Sequence, residues 1–215
     1  MNFELADKLD NLLQKDKIEE AIDFAETELK KLPITDFHKI LNNDLLHLKS
    51  DLSNCLTSFY NSASKFYIGK KGLLSSIFKK KNTSHEKELK AIYSELNGFT
   101  INYDRWFVNF FAYSFYNGIE ELDWLAEFEY DTEKSLTITG FEELQTAFQD
   151  YIKNEKWNDE ELKKSMEICE LLVIIRLQQL YKQTFTEGKD KGLEWTTIPI
   201  IVTAHDYDMI YQIKE

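Results

Sequence analysis

The 215-residue sequence predicts an α+β fold in which helices come first and a small sheet with its covering helices follows. Two observations lead to this prediction. The chain contains 7 glycines and 2 prolines, which is typical of long regular elements joined by few turns. Its apolar residues recur at helical spacing up to residue 97, whereas after Gly98 they alternate in several stretches, as strand residues do.

The region of residues 1–97 is predicted to be helical. Residues 2–15 and 17–32 have the apolar spacing of an amphipathic helical hairpin, and Asp16 stands where it can cap the second helix. Apolar residues then step by three and four positions over residues 35–67. This spacing predicts one long helix, packed on the hairpin and on the core.

A lysine-rich stretch interrupts these helices. Residues 65–84 contain six lysines and no acidic residue, which predicts an exposed basic loop. The alternative is a docking segment for an anionic membrane surface or an acidic partner. Thr83 and Glu86 then have capping-box spacing, which predicts a further helix through Ile92 and Leu96.

Residues 98–215 are predicted to form the α+β region, in one globular unit with the helices before it. The stretch "RWFVNFFAYSFY" is apolar at both alternate sets of positions, which is typical of a strand buried on both faces. Helices are predicted at residues 140–154 and 159–184, and the second is apolar almost all round at "CELLVIIRLQQL". They cover a small, mainly antiparallel sheet of about four strands. The predicted strands are residues 104–116, 123–131, 135–139 and 198–206.

The negative charge of the chain is concentrated in one part of it. The net charge is −12, and residues 117–161 alone hold 14 acidic residues against 3 lysines, a net charge of −11. Such a segment repels the phosphates of nucleic acids and attracts a basic partner or a cation. We therefore expect no nucleic-acid binding, and a basic protein as the partner.

Acidic residues are also expected to share one face of a strand. Alternation over residues 123–131 places them on the exposed side, opposite the aromatic residues, because residues two apart in a strand point the same way. The predicted binding residues are Asp123, Glu127, Glu129, Asp131 and Glu133. This surface predicts a non-catalytic binding protein. Bacterial immunity proteins that neutralise nucleic-acid-attacking toxins resemble it in charge and size, so an immunity-type inhibitor is one such function.

Three common kinds of enzyme motif are absent from the sequence. It has no glycine-rich phosphate loop, no Cys or His cluster with zinc spacing and no G-x-S-x-G motif, and no cofactor is predicted. The alternative function is a metal-dependent hydrolase that uses His205, Asp206 and Asp208 in "AHDYD", with Glu127 or Glu129 as further carboxylates. Strand alternation places His205 on the face opposite the two aspartates unless the strand ends there.

The sequence also predicts a cytoplasmic protein without a transmembrane segment. Its start lacks the basic and apolar regions of a secretory signal. Its longest strictly apolar run, residues 171–175, is far shorter than the roughly 20 residues that a spanning helix needs. Cys55 and Cys169 fall on the apolar sides of predicted helices, as free thiols in a reducing compartment do.

Overall fold

The computed structural model describes residues 3–75, 87–99, 105–132 and 134–214. It confirms the α+β class. The helices are α1 (Phe3–Leu13), α2 (Ile18–Leu29), α3 (Lys49–Ser75), α4 (Glu142–Lys153) and α5 (Glu160–Asp190). The strands are β1 (Ala91–Asn97), β2 (Phe107–Tyr113), β3 (Tyr130–Asp131), β4 (Leu136–Thr137), β5 (Ile200–Ala204) and β6 (Tyr211–Ile213).

The strands form one sheet in the order β3-β2-β1-β5-β6, and β4 also pairs with β2. The β1–β5 pairing is parallel and the other pairings are antiparallel. The mainly antiparallel sheet was predicted, but β1 and β6 were not. The predicted helix through Ile92 and Leu96 is wrong, because this segment is the strand β1. Their four-residue spacing imitates a helix in a strand that is buried on both faces.

The N-terminal helical hairpin is confirmed, but the predicted cap is not. Asp16 has a left-handed backbone with φ 59°, and α2 begins after Lys17 without a side-chain cap. The Asp16 carboxylate instead accepts a 2.5 Å hydrogen bond from Tyr211 and lies 2.7 Å from Lys182 Nζ. This aspartate therefore connects the hairpin to α5 and β6.

The long helix predicted at residues 35–67 is wrong in its first part. The structure has two short 3₁₀ turns there, Asp36–Ile40 and Leu46–Leu48, and α3 begins at Lys49. Asn42, with φ 63°, separates the two turns. A 3₁₀ turn also brings residues three apart to one side, so its apolar spacing resembles that of an α-helix. Helix α3 continues to Ser75, so residues 65–75 of the lysine-rich stretch are helical and are not the predicted loop. The remaining residues of the stretch, 76–84, and the capping residues Thr83 and Glu86 lie outside the described residues.

Helix α5 lies at the centre of the main core, as predicted. It contacts α2, α3 and β5, and Val173, Ile174 and Ile175 are fully buried. Asp159 caps its start, because its carboxylate accepts hydrogen bonds from the backbone N–H groups of the second and third helical residues. Among the described residues, none of the helices has the length and apolar character needed to cross a membrane.

The sheet carries a second, smaller cluster on the face away from the main core. Tyr93, Tyr113 and Ile201 contribute to it from three neighbouring strands, and Trp124 covers them from the loop after β2. The rings of "RWFVNFFAYSFY" therefore line both faces of the sheet, as its alternation predicted. Because Trp124 belongs to the second cluster, this cluster positions the acidic residues that neighbour Trp124 in the sequence.

A partly buried carboxyl group on α5, that of Glu170, should make stability depend on pH. Burial, together with the charge of Glu167, outweighs the lowering effect of a hydrogen bond with Tyr207 and raises the pKa of Glu170 to about 7. Between the ordinary carboxyl pKa of 4.5 and about 7, the folded protein binds more protons than the unfolded chain. The free energy of unfolding should therefore fall as the pH rises through 7.

We expect Glu170→Gln to remove this dependence. The variant should gain stability relative to the wild type as the pH rises from 5 to 8, by up to about 3 kcal/mol. Urea unfolding of both proteins at several pH values measures the difference between their free energies of unfolding. The other titrating groups contribute equally to both proteins and therefore cancel in this difference. A difference that stays constant from pH 5 to 8 would show that Glu170 is ionised throughout.

Candidate binding surface

The acidic segment, residues 117–132, is fixed to the second face of the sheet by aromatic contacts. Trp124 packs edge-on against Tyr113, with 4.8 Å between ring centroids, and its indole N–H donates a 3.0 Å hydrogen bond to the carbonyl of Gly118. The Tyr113 hydroxyl donates to the carbonyl of Leu125 at 2.7 Å. These contacts hold residues 118–125 of the segment against the sheet.

The segment is not the strand that was predicted at residues 123–131. Asp123–Glu127 is a 3₁₀ helix, and only Tyr130 and Asp131 pair with β2. The alternation of apolar and acidic residues here does not come from a strand. It arises in a 3₁₀ helix, from which the Trp124 side chain packs into the second cluster. The acidic residues therefore do not line up at two-residue spacing along one strand face.

Glu129 points inward, contrary to its predicted exposure. Its carboxylate lies 2.5 Å from Lys87 Nζ, accepts a 2.7 Å hydrogen bond from the backbone N–H of Ser114, and accepts another from the Tyr67 hydroxyl at 3.2 Å. Despite the opposing effect of burial, Lys87 and Ser114 lower the pKa of Glu129 to about 2. This residue joins α3, β2 and the acidic segment, and the sequence holds no local signal for that role.

The other acidic side chains of the segment are exposed. They are Glu120, Glu121, Asp123, Glu127 and Asp131. Within the described ranges none of these five forms an ion pair, whereas Glu26, Glu129 and Glu187 each have a lysine or arginine partner. Glu133, also predicted to bind the partner, lies outside the described residues. The structure therefore offers five free carboxylates on one anchored segment.

The same segment carries an exposed aromatic ring. Phe128 was predicted to share the buried face with Trp124, but 43% of it is exposed. Its ring packs on Phe111 with 4.9 Å between centroids, so one side of the ring is supported and the other faces solvent. Aromatic residues are enriched in protein interfaces, so an exposed and supported ring suits contact with a partner.

The residues of the metal hydrolase alternative lie at the turn after β5. Since β5 ends before His205, strand alternation no longer separates the histidine from Asp206, and its Nε2 lies 3.6 Å from Asp206 Oδ1. Its Nδ1 lies 3.2 Å from Glu95 Oε1. Asp208 is exposed. Across the described part of the chain, no group of three or more His, Cys, Asp and Glu side chains is arranged to hold a metal ion.

Arg176 forms a buried ion pair away from the acidic segment. Its guanidinium Nη2 lies 2.6 Å from Glu26 Oε1, and both residues are 8% exposed. Nη1 donates a 3.2 Å hydrogen bond to Gln179, whose amide donates to Glu19. The arginine thus joins α5 to the N-terminal hairpin.

Comparisons of this chain with protein-family models, with curated proteins and with solved structures found no match.

Proposed function

We propose that this chain is a non-catalytic binding protein that engages a basic protein partner through its acidic segment. The observation that supports the proposal is the set of five exposed carboxylates on the segment that also carries Phe128, none of them in an ion pair with another described residue. Like charges held close together repel one another, and a cationic partner relieves that repulsion. The anchoring through Trp124 fixes the segment before binding, which lowers the entropy lost on association.

The exposed carboxylates and the Phe128 ring have different roles in the proposed binding. Exposed carboxylates accelerate and orient the approach of a basic protein, and this effect weakens as salt screens them. Phe128 supplies apolar area that the partner covers, which slows dissociation. Neither role needs a reaction at the surface.

A cytoplasmic inhibitor of a basic toxin is the specific function that we propose. A toxin that degrades nucleic acid needs a cationic surface for its substrate, and an acidic protein that covers this surface blocks access. The free cysteines Cys55 and Cys169 support a reducing compartment. The concentrated negative charge argues against nucleic acid as a direct ligand.

The first experiment is affinity capture of the partner from the native cell, followed by mass spectrometry. We expect a basic protein at stoichiometric amount. Its association rate should fall roughly 3- to 10-fold in Glu127→Gln with Asp131→Asn, and also as salt rises. These substitutions spare Glu129, whose replacement would break buried contacts.

The matched control removes two exposed charges from the N-terminal hairpin, through Asp7→Asn with Asp23→Asn. Its net charge equals that of the first variant, so a general charge effect would slow both equally. We expect the control to associate at close to the wild-type rate. An equal loss in both variants, or a rate that ignores salt, would remove the acidic segment as the binding surface.

A further inference from the structure

A polar groove of about 460 Å³ lies between the start of α3 and the end of α5, apart from the acidic segment. Its walls carry many hydrogen-bond donors. From the α3 side they are Lys49, Ser50, Ser53 and Asn54, and from the α5 side they are Thr184 and Lys191. A concave site lined mainly by donors suits a ligand that offers many acceptors.

The groove is locally positive although the protein is acidic. Glu187 lies between the two lysines, with Oε1 2.5 Å from Lys49 Nζ and Oε2 3.8 Å from Lys191 Nζ. Two ammonium groups and one carboxylate leave a net charge of +1, in a chain whose net charge is −12. The carboxylate holds the lysines on the groove walls, and one positive charge remains for a ligand.

The Thr184 side chain supplies an independent observation. The residue is 1% exposed and lines the groove, and its hydroxyl has no hydrogen-bond partner among the described residues. A buried hydroxyl that lacks a partner is costly, so such groups usually serve a ligand or a bound water. Thr184 precedes Glu187 by one helical turn, which places both on the same side of α5.

His47 completes the groove wall in a fixed position. Its Nε2 lies 3.2 Å from Thr139 Oγ1. At Gly140, with φ 90°, a Cβ atom would lie 2.9 Å from the imidazole ring, so a larger residue would displace the ring. The absence of a side chain at Gly140 leaves room for the imidazole at this position.

We propose that this groove binds a small molecule through a phosphoryl group. Lys49 and Lys191 supply the opposing charge, and the hydroxyls of Ser50, Ser53 and Thr184 donate hydrogen bonds to the phosphoryl oxygens. Three equivalent acceptor oxygens and a double negative charge match a donor-rich, positive site. The volume leaves room for a small organic group attached to the phosphate.

Inorganic phosphate is the probe that tests this site. Isothermal titration at constant ionic strength should show saturable binding to the wild type, with a rise in Tm of about 3 °C or more at saturation. Phosphate also stabilises proteins by exclusion from their surfaces. The Lys49→Gln with Lys191→Gln variant measures that general effect, and we expect its phosphate affinity to be at least tenfold lower.

Two further variants separate binding from folding. Thr184→Val replaces the unpaired hydroxyl by a methyl group of similar shape, so Tm without phosphate should stay level or rise while phosphate affinity falls. Lys163→Gln with Lys164→Gln makes the same charge change at the other end of α5 and should bind like the wild type. Absence of saturable binding by the wild type, or equal affinity in all four proteins, would overturn the proposal.

Discussion

Ile174→Asp should leave little folded protein. Ile174 is fully buried in the middle of α5, and its neighbours Val173 and Ile175 are fully buried too. The change removes a packed side chain and introduces a carboxyl group without a partner, which together cost roughly 5 kcal/mol or more. Since domains of this kind have a total stability of about 5–15 kcal/mol, most or all of it is lost. The yield in the soluble fraction and the melting temperature measure the effect.

Ile34→Asp is the matched control, because Ile34 is 91% exposed. The same chemical change there leaves the new carboxylate in water, so we expect a melting temperature within a few degrees of the wild type. If Ile174→Asp also melted like the wild type, the central position of α5 would be refuted.

Glu26→Leu should cost about 3–5 kcal/mol, because it leaves the Arg176 guanidinium buried without its carboxylate. The pair lies between α2 and α5 at 2.6 Å. Arg176→Met should cost less, since Glu26 retains a second partner in Lys30, 3.0 Å away. Urea unfolding of the two single variants measures this asymmetry.

The double variant Glu26→Leu with Arg176→Met tests the cause of the loss. With both charges replaced by apolar groups, no buried charge is left unpaired, and most of the stability should return. Additive losses in the double variant would show instead that each side chain acts through packing alone.

Much of the fold could be predicted because its helices have a clear apolar period. The hairpin α1–α2 and the central helix α5 follow from that period. Where the period was ambiguous, the prediction was wrong. The 3₁₀ turns before α3 have the same three-residue spacing as a helix, and Ile92 and Leu96 are four apart although they lie on a strand. In both places, tertiary packing decides the structure.

The candidate surface was predicted in composition but not in geometry. Charge counting located the acidic residues, and the structure shows Glu127 and four other carboxylates of the acidic segment exposed. The inward orientation of Glu129 depends on Tyr67 and Lys87, which are distant in sequence, so no local pattern reveals it. The α3–α5 groove joins residues about 140 positions apart, such as Lys49 and Glu187. Such a site has no motif.

The parallel pairing of β1 with β5 has a consequence for how the chain folds during synthesis. Ile92 pairs with Ile200, so this contact spans about half of the 215-residue chain. β1 lies between β2 and β5 in the sheet. Until the ribosome has made β5, the edge of β1 that pairs with β5 has no strand beside it, although β2 already covers the other edge. Contacts so distant in sequence form slowly, and an open strand edge invites pairing with other chains. The growing polypeptide therefore carries an exposed strand edge for nearly half of its translation, a period in which chaperones protect such edges.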